Sequence, residues 1–413
     1  MTRYRSTRAA GTRALGAVAA LALLAACENP AEVRMDPADH GDGIFDRYVA
    51  LGNSITAGYQ SGGINDSTQR ESYAFLLADQ LGTPYAYASL AGRGCAPPVT
   101  NLLTQARVGG AGPADCDLRN PASVAPFLNN VAVPGATSFD PFSSSTAASN
   151  ALTTFILGGR TQVQAARLAD PTFVSIWIGN NDVLAAGVSG VLAPMPGVSP
   201  GVTPAATFVE NYGKMMDELT AGNGDLEGVL IGVVNVTQVP VLIPAAALAN
   251  PAVKGGLEMA TGKSITVLAN CTGSSSLISF QLVGQIKTGA HPAVISCTKG
   301  QFAPSPLVGE LFILDAEEQA AITAAVTAYN AAIKAEADER GWAYFDPNPA
   351  LGQLRLSGAI PAVPNLANPA KAFGDYISLD GVHPAGPAHV LVANGVIEAI
   401  NTTYGTNVPA ITP

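Results

Sequence analysis

The chain contains 413 residues, of which 48% are hydrophobic and 13% are charged, and its formal net charge is −10. This length suffices for one large domain or two ordinary ones, with ample apolar material for a core. The sequence carries no basic patch and no run of Lys and Arg, so nucleic acid is excluded as an expected partner.

The N-terminus has the pattern of a secretory signal. An apolar run over residues 14–26 follows four arginines, namely Arg3, Arg5, Arg8 and Arg13. The run is too short to span a bilayer and matches the apolar region of a signal peptide. We therefore expect a signal peptide over residues 1–26, a tether over residues 27–43 and a soluble exported protein.

The end of this run, Leu24-Ala25-Ala26-Cys27, resembles a bacterial lipobox, in which the cysteine is lipidated. The alternative is an ordinary signal cleaved at an A-x-A-like site, with Cys27 present by chance. The lipoprotein interpretation is favoured because Cys27 stands where the apolar run stops and a polar spacer follows. It predicts that N-terminal lipids hold the protein at a membrane of the bacterial cell envelope, facing the periplasm or the cell surface.

The remaining cysteines are Cys95, Cys116, Cys271 and Cys297. An even number in an exported chain predicts disulfides, and three connectivities are possible. We predict the pairs Cys95–Cys116 and Cys271–Cys297, because they close the shortest loops. Metal ligation is the alternative, but no His or further Cys stands at zinc spacing near any of them.

Strands and helices alternate along the rest of the chain. Apolar runs predict strands over residues 45–51, 173–178, 229–236 and 342–345. Helical patterns cover residues 72–81, 162–168, 208–219 and 384–404, and a long helix begins at the capping box of Asp315 and Glu318 and ends at Gly341. The alternation predicts an α/β sandwich around a parallel sheet. The domain spans residues 44–405 and is followed by a tail over residues 406–413.

Two segments do not fit this alternation. Residues 241–310 form a long insertion, interpreted as a cap beside the sheet; the alternative is a surface elaboration without a catalytic role. Residues 187–206 are apolar and punctuated by Gly and Pro, which weakly favours a lipase-like groove.

The stretch YVALGNSITAGYQ, residues 48–60, delivers Ser54 just beyond a buried strand. In open α/β sheets, ligands bind at the carboxyl ends of the strands. The first amides of a following helix point to the same place and favour a developing anion. A serine in this position alone fits a helix N-cap equally well.

Further motifs accompany this serine. Gly179-Asn180-Asn181-Asp182 follows the second strand, and Gly135 lies in a turn in the segment NNVAVPGATSFD. Asp380 and His383 lie three residues apart on a loop near the C-terminus. This spacing lets the carboxylate reach the imidazole, so the chain order supplies a nucleophile, an orienting acid and a base. Asp182 is interpreted as holding backbone amides of its turn.

These blocks resemble those of the GDSL/SGNH hydrolase family over roughly residues 45–404. Gly52-Asn53-Ser54-Ile55 is similar to its Gly-Asp-Ser-Leu block, with Asn53 in place of the usual aspartate. Gly135 matches the glycine of its second block, Gly179 to Asp182 matches Gly-x-Asn-Asp, and Asp380 to His383 matches Asp-x-x-His. The resemblance implies a flavodoxin-like, three-layer α/β/α sandwich with about five parallel strands.

The resemblance also implies a serine esterase that needs no metal and no organic cofactor. Ser54 would be the nucleophile, His383 the base and Asp380 the residue that orients it. The oxyanion hole would consist of the backbone N–H groups of Ser54 and Gly135 and the side-chain amide of Asn181. Asparagine at position 53 keeps a hydrogen-bond acceptor, so activity is expected to survive.

Several alternatives stay open at this point. The same residues serve an acyltransferase or a carbohydrate O-acetylesterase, and a non-catalytic surface lipoprotein is the third possibility. The expected partners are a small-molecule or lipid ester and, through the anchor, a membrane; a monomer is expected.

Overall fold

The computed structural model describes residues 43–117, 126–143, 151–299 and 311–412. The predicted signal peptide, Cys27 and all but the last residue of the predicted tether lie outside the described residues. Within the described residues, no helix combines the length and apolar character needed to cross a bilayer.

The strands are β1 Tyr48–Gly52, β2 Phe173–Trp177, β3 Glu227–Ile231, β4 Leu242–Pro244, β5 Thr266–Val267, β6 Leu277–Ser279, β7 Val294–Ile295, β8 Ile313–Leu314 and β9 Ala343–Phe345. The helices are α1 Ser54–Ala57, α2 Asp66–Arg70, α3 Tyr73–Leu81, α4 Ala151–Leu157, α5 Gln162–Leu168, α6 Asn181–Ser189, α7 Ala205–Thr220, α8 Pro251–Thr261, α9 Gln281–Thr288, α10 Ala316–Arg340, α11 Asn348–Leu356 and α12 Gly386–Tyr404. Short 3₁₀ turns cover Val108–Gly110, Val236–Gln238, Ala245–Ala249 and Ala269–Cys271.

The central sheet is parallel, with strand order β1-β2-β3-β9. These are four strands, whereas about five were expected. A further segment runs beside β1 without forming a full strand: Val131 N–H donates to the carbonyl oxygen of Ala50 at 3.0 Å, and Val133 N–H to that of Gly52 at 3.1 Å. This segment therefore extends the edge of the sheet next to the end of β1.

Both faces of the sheet are buried under helices. Side chains alternate between the faces along each strand. Val49 and Leu51 belong to a core shared with α5, α6, α7 and α10, whereas Tyr48 and Ala50 belong to a core shared with α3 and α12. Burial on both sides explains why the strands are continuous apolar runs. The carboxyl ends of the four strands consequently open at one edge.

Strand β3 ends at Ile231, earlier than the predicted strand over residues 229–236. Just beyond its end, side chains supply the hydrogen bonds that a neighbouring strand would otherwise give. Val233 N–H donates to Oδ1 of Asn330, and Val234 N–H donates to Oδ1 of Asn180 at 2.8 Å. The chain therefore turns away from the sheet and passes the residues that follow β2.

The long helix α10 forms as predicted. Asp315 and Glu318 make the reciprocal capping box, and Gly341 ends the helix in the left-handed conformation. The side chains of its predicted apolar stripe are all buried, namely Ile322, Val326, Tyr329 and Ile333. Their spacing places them on one side of the helix, which packs against the sheet.

Both predicted disulfides are present, Cys95–Cys116 and Cys271–Cys297. The second lies in the described part of the insertion, residues 241–299, which supplies β4 and β6 to a small sheet completed by β8 and forms a two-stranded sheet from β5 and β7. The insertion also has a separate core, to which both of its cysteines contribute together with Leu257 and Ile286. The described part of the insertion is thus a folded unit.

Candidate active site

The corner between β1 and α1 presents Ser54. A Cβ atom on Gly52 would lie 2.2 Å from Oγ1 of Thr56 and 2.8 Å from the carbonyl oxygen of Trp177, so only glycine fits there. Oδ1 of the buried Asn53 accepts a hydrogen bond from Ile55 N–H at 3.0 Å and caps α1. Asparagine therefore supplies the acceptor expected at this position, and Ser54 becomes the first helical residue.

Ser54, His383 and Asp380 form one chain of hydrogen bonds. Oγ of Ser54 lies 2.8 Å from Nε2 of His383, and Nδ1 of His383 lies 2.8 Å from Oδ2 of Asp380. The serine comes from the end of β1, whereas the other two residues come from the loop before α12. The fold thus brings Ser54 together with two predicted residues that lie 326 and 329 positions later in the sequence.

The carboxylate of Asp380 is held in its charged form. Burial by itself would raise the pKa of this group, but the adjacent His383 and several hydrogen bonds outweigh burial and hold the pKa well below its usual range. Oδ1 accepts from the backbone N–H groups of Val382 and His383, each at 2.9 Å, and Oδ2 accepts from Gly62 N–H at 2.8 Å. An ionised Asp380 favours the imidazole tautomer with its proton on Nδ1, which leaves Nε2 free to accept a proton from Ser54.

The turn at Gly135 lies beside the same corner, because Val133 is hydrogen-bonded to Gly52. Nδ2 of Asn181, in the first turn of α6, donates to the carbonyl oxygen of Ala136 at 2.8 Å. Gly135 has φ of 86° and is exposed. Among the described hydrogen bonds, the backbone N–H groups of Ser54 and Gly135 have no acceptor. Two backbone donors and one amide donor are therefore held around this corner.

Tyr59 also contacts the site, although no sequence motif indicated it. Its ring centroid lies 5.1 Å from that of His383, at an interplanar angle of 56°. Its backbone N–H donates to the carbonyl oxygen of Ser54 at 2.8 Å. Burial and the charge of Asp380 raise the pKa of the Tyr59 hydroxyl, although Arg107 partly opposes this. The only signal in the sequence was its place in the stretch that ends α1.

His389, six residues after His383 in the sequence, has a packing role. It is fully buried, and its Nδ1 accepts a hydrogen bond from Tyr73 N–H at 3.1 Å, at the start of α3. Burial, with a smaller contribution from the charge of His383, lowers its pKa to about 3. The ring is therefore neutral at ordinary pH and joins α12 to α3.

A cleft opens from Ser54 and His383 along the carboxyl ends of the strands. Its walls come from the segments after β2, β3 and β9 and from α11 and α12. All residues 187–206 are described, and none of them lines the cleft; the same holds for the described residues of 241–310. The idea that residues 187–206 form an apolar groove was therefore wrong, because this segment packs elsewhere, with Leu192 and Val202 against the main core.

The family of GDSL-like lipases and acylhydrolases matches residues 48–396. The chain belongs to this family. As a GDSL-like acylhydrolase, it is a serine hydrolase of carboxylic esters. The match spans β1 with Ser54, the turn at Gly135, the start of α6 and the loop of Asp380 and His383. These are the segments that carry the resemblance in the sequence.

Several solved structures are similar to this chain. A catalytic mutant of an acetylxylan esterase from Geobacillus stearothermophilus is 13% identical, with 91% of this chain and 100% of that chain covered at a TM-score of 0.38. An extracellular lipase from Streptomyces rimosus is 16% identical, with 86% and 98% covered at a TM-score of 0.33. An α/β hydrolase from the metagenome of Lake Arreo, Spain, is 14% identical, with 89% and 97% covered at a TM-score of 0.35. No curated protein matches the chain.

Proposed function

We propose that this acylhydrolase cleaves carboxylic esters through an acyl-enzyme on Ser54, with His383 as the base and Asp380 as the residue that orients it. The observation that carries this proposal is the continuous hydrogen-bonded chain from Oγ of Ser54 through His383 to Asp380. A nucleophile, a base and a residue that orients the base are the three parts that activation of a serine requires.

The reaction proceeds in two half-reactions. Oγ of Ser54 attacks the carbonyl carbon while Nε2 of His383 takes the hydroxyl proton, and a tetrahedral intermediate forms. His383 then gives that proton to the oxygen of the leaving alcohol, the C–O bond breaks, and the acyl group remains on Ser54. A water molecule, deprotonated by His383, attacks the acyl-enzyme and releases the carboxylic acid and the free serine.

The oxyanion is bound by the backbone N–H groups of Ser54 and Gly135 and by Nδ2 of Asn181. Each such donor typically contributes about 3 kcal/mol to the stability of the transition state. The free N–H groups of Ser54 and Gly135 support this assignment. The bond from Asn181 to Ala136 uses one hydrogen of its amide, and the second hydrogen is left for the substrate.

We propose the following finer architecture for the chain. The hydrolase domain covers residues 44–405 as a flavodoxin-like three-layer sandwich, in which the segment beside β1, around Val131, acts as the fifth strand. Residues 1–26 are a lipoprotein signal, Cys27 is the lipidated residue that anchors the tether 27–43, and residues 406–413 are a tail. The exported enzyme works as an anchored monomer at the cell envelope.

A fluorophosphonate probe tests the assignment of the nucleophile. It reacts with activated serines by forming a P–O bond with loss of fluoride. We expect one adduct per chain, located by peptide mass spectrometry on Ser54, and none on protein that was heat-denatured before the reaction. An adduct on another serine, or no adduct on demonstrably folded protein, would overturn the proposed mechanism.

A further inference from the structure

The cleft is polar only near the reacting groups. Ser54, His383, Asn180 and Asn181 lie there, beside the ends of β1 and β2. The remaining lining is aliphatic or aromatic apart from the indole N–H of Trp177, and it includes Val236, Val239, Phe345, Leu391 and Val392. A sugar or a charged group in this part would leave its polar atoms without partners, which is costly.

One wall of the cleft comes from a single part of the chain. Leu351 and Leu354 lie on α11, and Ile360 and Ile377 lie in the loop that follows it. The same four side chains contribute to a small apolar cluster with Phe373, so the wall is packed from behind. The loop is also tied to α11, because Ile360 N–H donates to the carbonyl oxygen of Leu354 at 3.0 Å.

The two parts of the ester stay at Ser54 for different lengths of time. The alcohol leaves after the first half-reaction, before water attacks. The acyl group stays on Ser54 through both half-reactions, so an apolar cleft that binds it can contribute to both of them.

We propose that the wall formed by α11 and its following loop selects linear, apolar acyl chains and limits their length. This inference rests on the proposed function, since it takes Ser54 as the nucleophile. Each methylene group buried in the cleft is expected to raise kcat/KM about three- to fourfold, until the chain reaches the wall.

The experiment compares kcat/KM for p-nitrophenyl esters from acetate to palmitate in the full chain and in two variants. Leu354→Trp places a larger side chain at this wall and so shortens the cleft. It should lower kcat/KM at least tenfold for the longest chains that the unaltered enzyme accepts and change kcat/KM for the acetate ester less than twofold. Leu356→Trp is the matched control, because Leu356 lies on the same helix, is 83% exposed and does not line the cleft. Leu351→Trp repeats the test on the same helix if Leu354→Trp unfolds.

The outcomes separate the two proposals. No hydrolysis of any ester by folded enzyme contradicts the proposed function itself. Hydrolysis with a preference for acetate, or an equal loss for short and long chains in Leu354→Trp, overturns the acyl cleft alone. A series of acetate esters of longer alcohols is the third arm, and a rise in kcat/KM with alcohol length would place the alcohol in the cleft instead.

A second inference concerns Asp182, which is only 2% exposed. Its Oδ2 accepts from Ser138 N–H at 2.8 Å, and its Oδ1 accepts from Oγ of Ser138 at 2.7 Å. The preceding residue, Asn181, donates to the carbonyl oxygen of Ala136. Consecutive residues of α6 therefore hold two points of the turn that begins at Gly135.

A second residue, Asn211, also forms a hydrogen bond with the Ser138 hydroxyl. Oγ of Ser138 donates to Asp182 and lies 3.2 Å from Nδ2 of Asn211 on α7, from which it accepts. Among the described ion pairs, none involves Asp182, so hydrogen bonds from Ser138 and from Thr203 are what offsets the burial of its carboxyl group. A buried carboxylate thus holds this turn through direct hydrogen bonds to Ser138.

We infer that Asp182 is a positioning residue: it fixes the Gly135 turn so that the Gly135 N–H points at the oxyanion formed on Ser54. An incorrectly held donor weakens transition-state binding more than substrate binding. Asp182→Ala should therefore lower kcat about 10- to 100-fold and change KM less than twofold.

The matched control is Ser138→Ala, which removes the hydroxyl and keeps the bond from Ser138 N–H to Asp182. It should lower kcat less than Asp182→Ala does. A trifluoromethyl ketone, which mimics the tetrahedral intermediate, should lose affinity in Asp182→Ala by the same factor as kcat. Asp182→Asn, which keeps one acceptor, serves if the alanine variant does not fold. An unchanged kcat, or a kcat loss without loss of inhibitor affinity in folded protein, would overturn this role.

Discussion

Replacing Ser54 with alanine will lower kcat/KM for p-nitrophenyl esters by about 10⁴- to 10⁶-fold, the range seen when a serine nucleophile is removed from an intact triad. The change removes the atom that bonds to the acyl carbon and leaves His383 without the group whose proton it takes. The residual rate would come from the oxyanion donors and from substrate binding. Steady-state kinetics at substrate concentrations well below KM measures this loss.

The stability of the Ser54→Ala variant should change little. Ser54 is 7% exposed, and its described hydrogen bond from Oγ goes to His383, which keeps its bond to Asp380. The control is Ser67→Ala, an exposed serine on α2 that should leave kcat/KM unchanged. Retention of more than a tenth of the activity by folded Ser54→Ala would show that another residue is the nucleophile.

Replacing Asp380 with asparagine will lower kcat about 10³- to 10⁴-fold. Oδ2 accepts both from Nδ1 of His383 and from Gly62 N–H, whereas Oδ1 accepts from two backbone N–H groups. An amide nitrogen at the Oδ2 position loses only one backbone bond, so this orientation is favoured. It then donates to Nδ1 of His383, which moves the imidazole proton to Nε2, where it can no longer accept the proton of Ser54.

The same substitution has a pH signature in stability. The lowered pKa of Asp380 means that its carboxylate stabilises the folded state above the unfolded pKa of about 3.9, and this contribution is lost as pH falls further. Urea unfolding should therefore separate the unaltered protein from Asp380→Asn at pH 7, and the gap should narrow below pH of about 4. Asp375→Asn, an exposed carboxylate nearby that pairs with Lys371, should alter neither kcat nor this gap. A gap that does not depend on pH would contradict a charged Asp380.

Part of the site could be predicted because its residues lie in short stretches of the sequence. One turn of the chain accounts for Gly52 and Ser54, and one loop accounts for the spacing of Asp380 and His383. The disulfide partners lie 21 and 26 positions apart, so the shortest loops gave the right pairs. The capping box and apolar stripe of α10 depend on contacts within one helix and on a single buried face.

The tertiary structure alone decided what surrounds the reacting groups. The cleft is assembled from segments that follow three different strands and from two helices, so no local pattern reveals it. Residues 187–206 looked like a groove because they are apolar, but apolar side chains bury themselves equally well against a core. The contacts of Tyr59 with His383 and of Asp182 with Ser138 join residues 324 and 44 positions apart, counted along the chain. Sequence periodicity reports which face of an element is buried, whereas the partner across that face is fixed only when the sheet and its helices pack together.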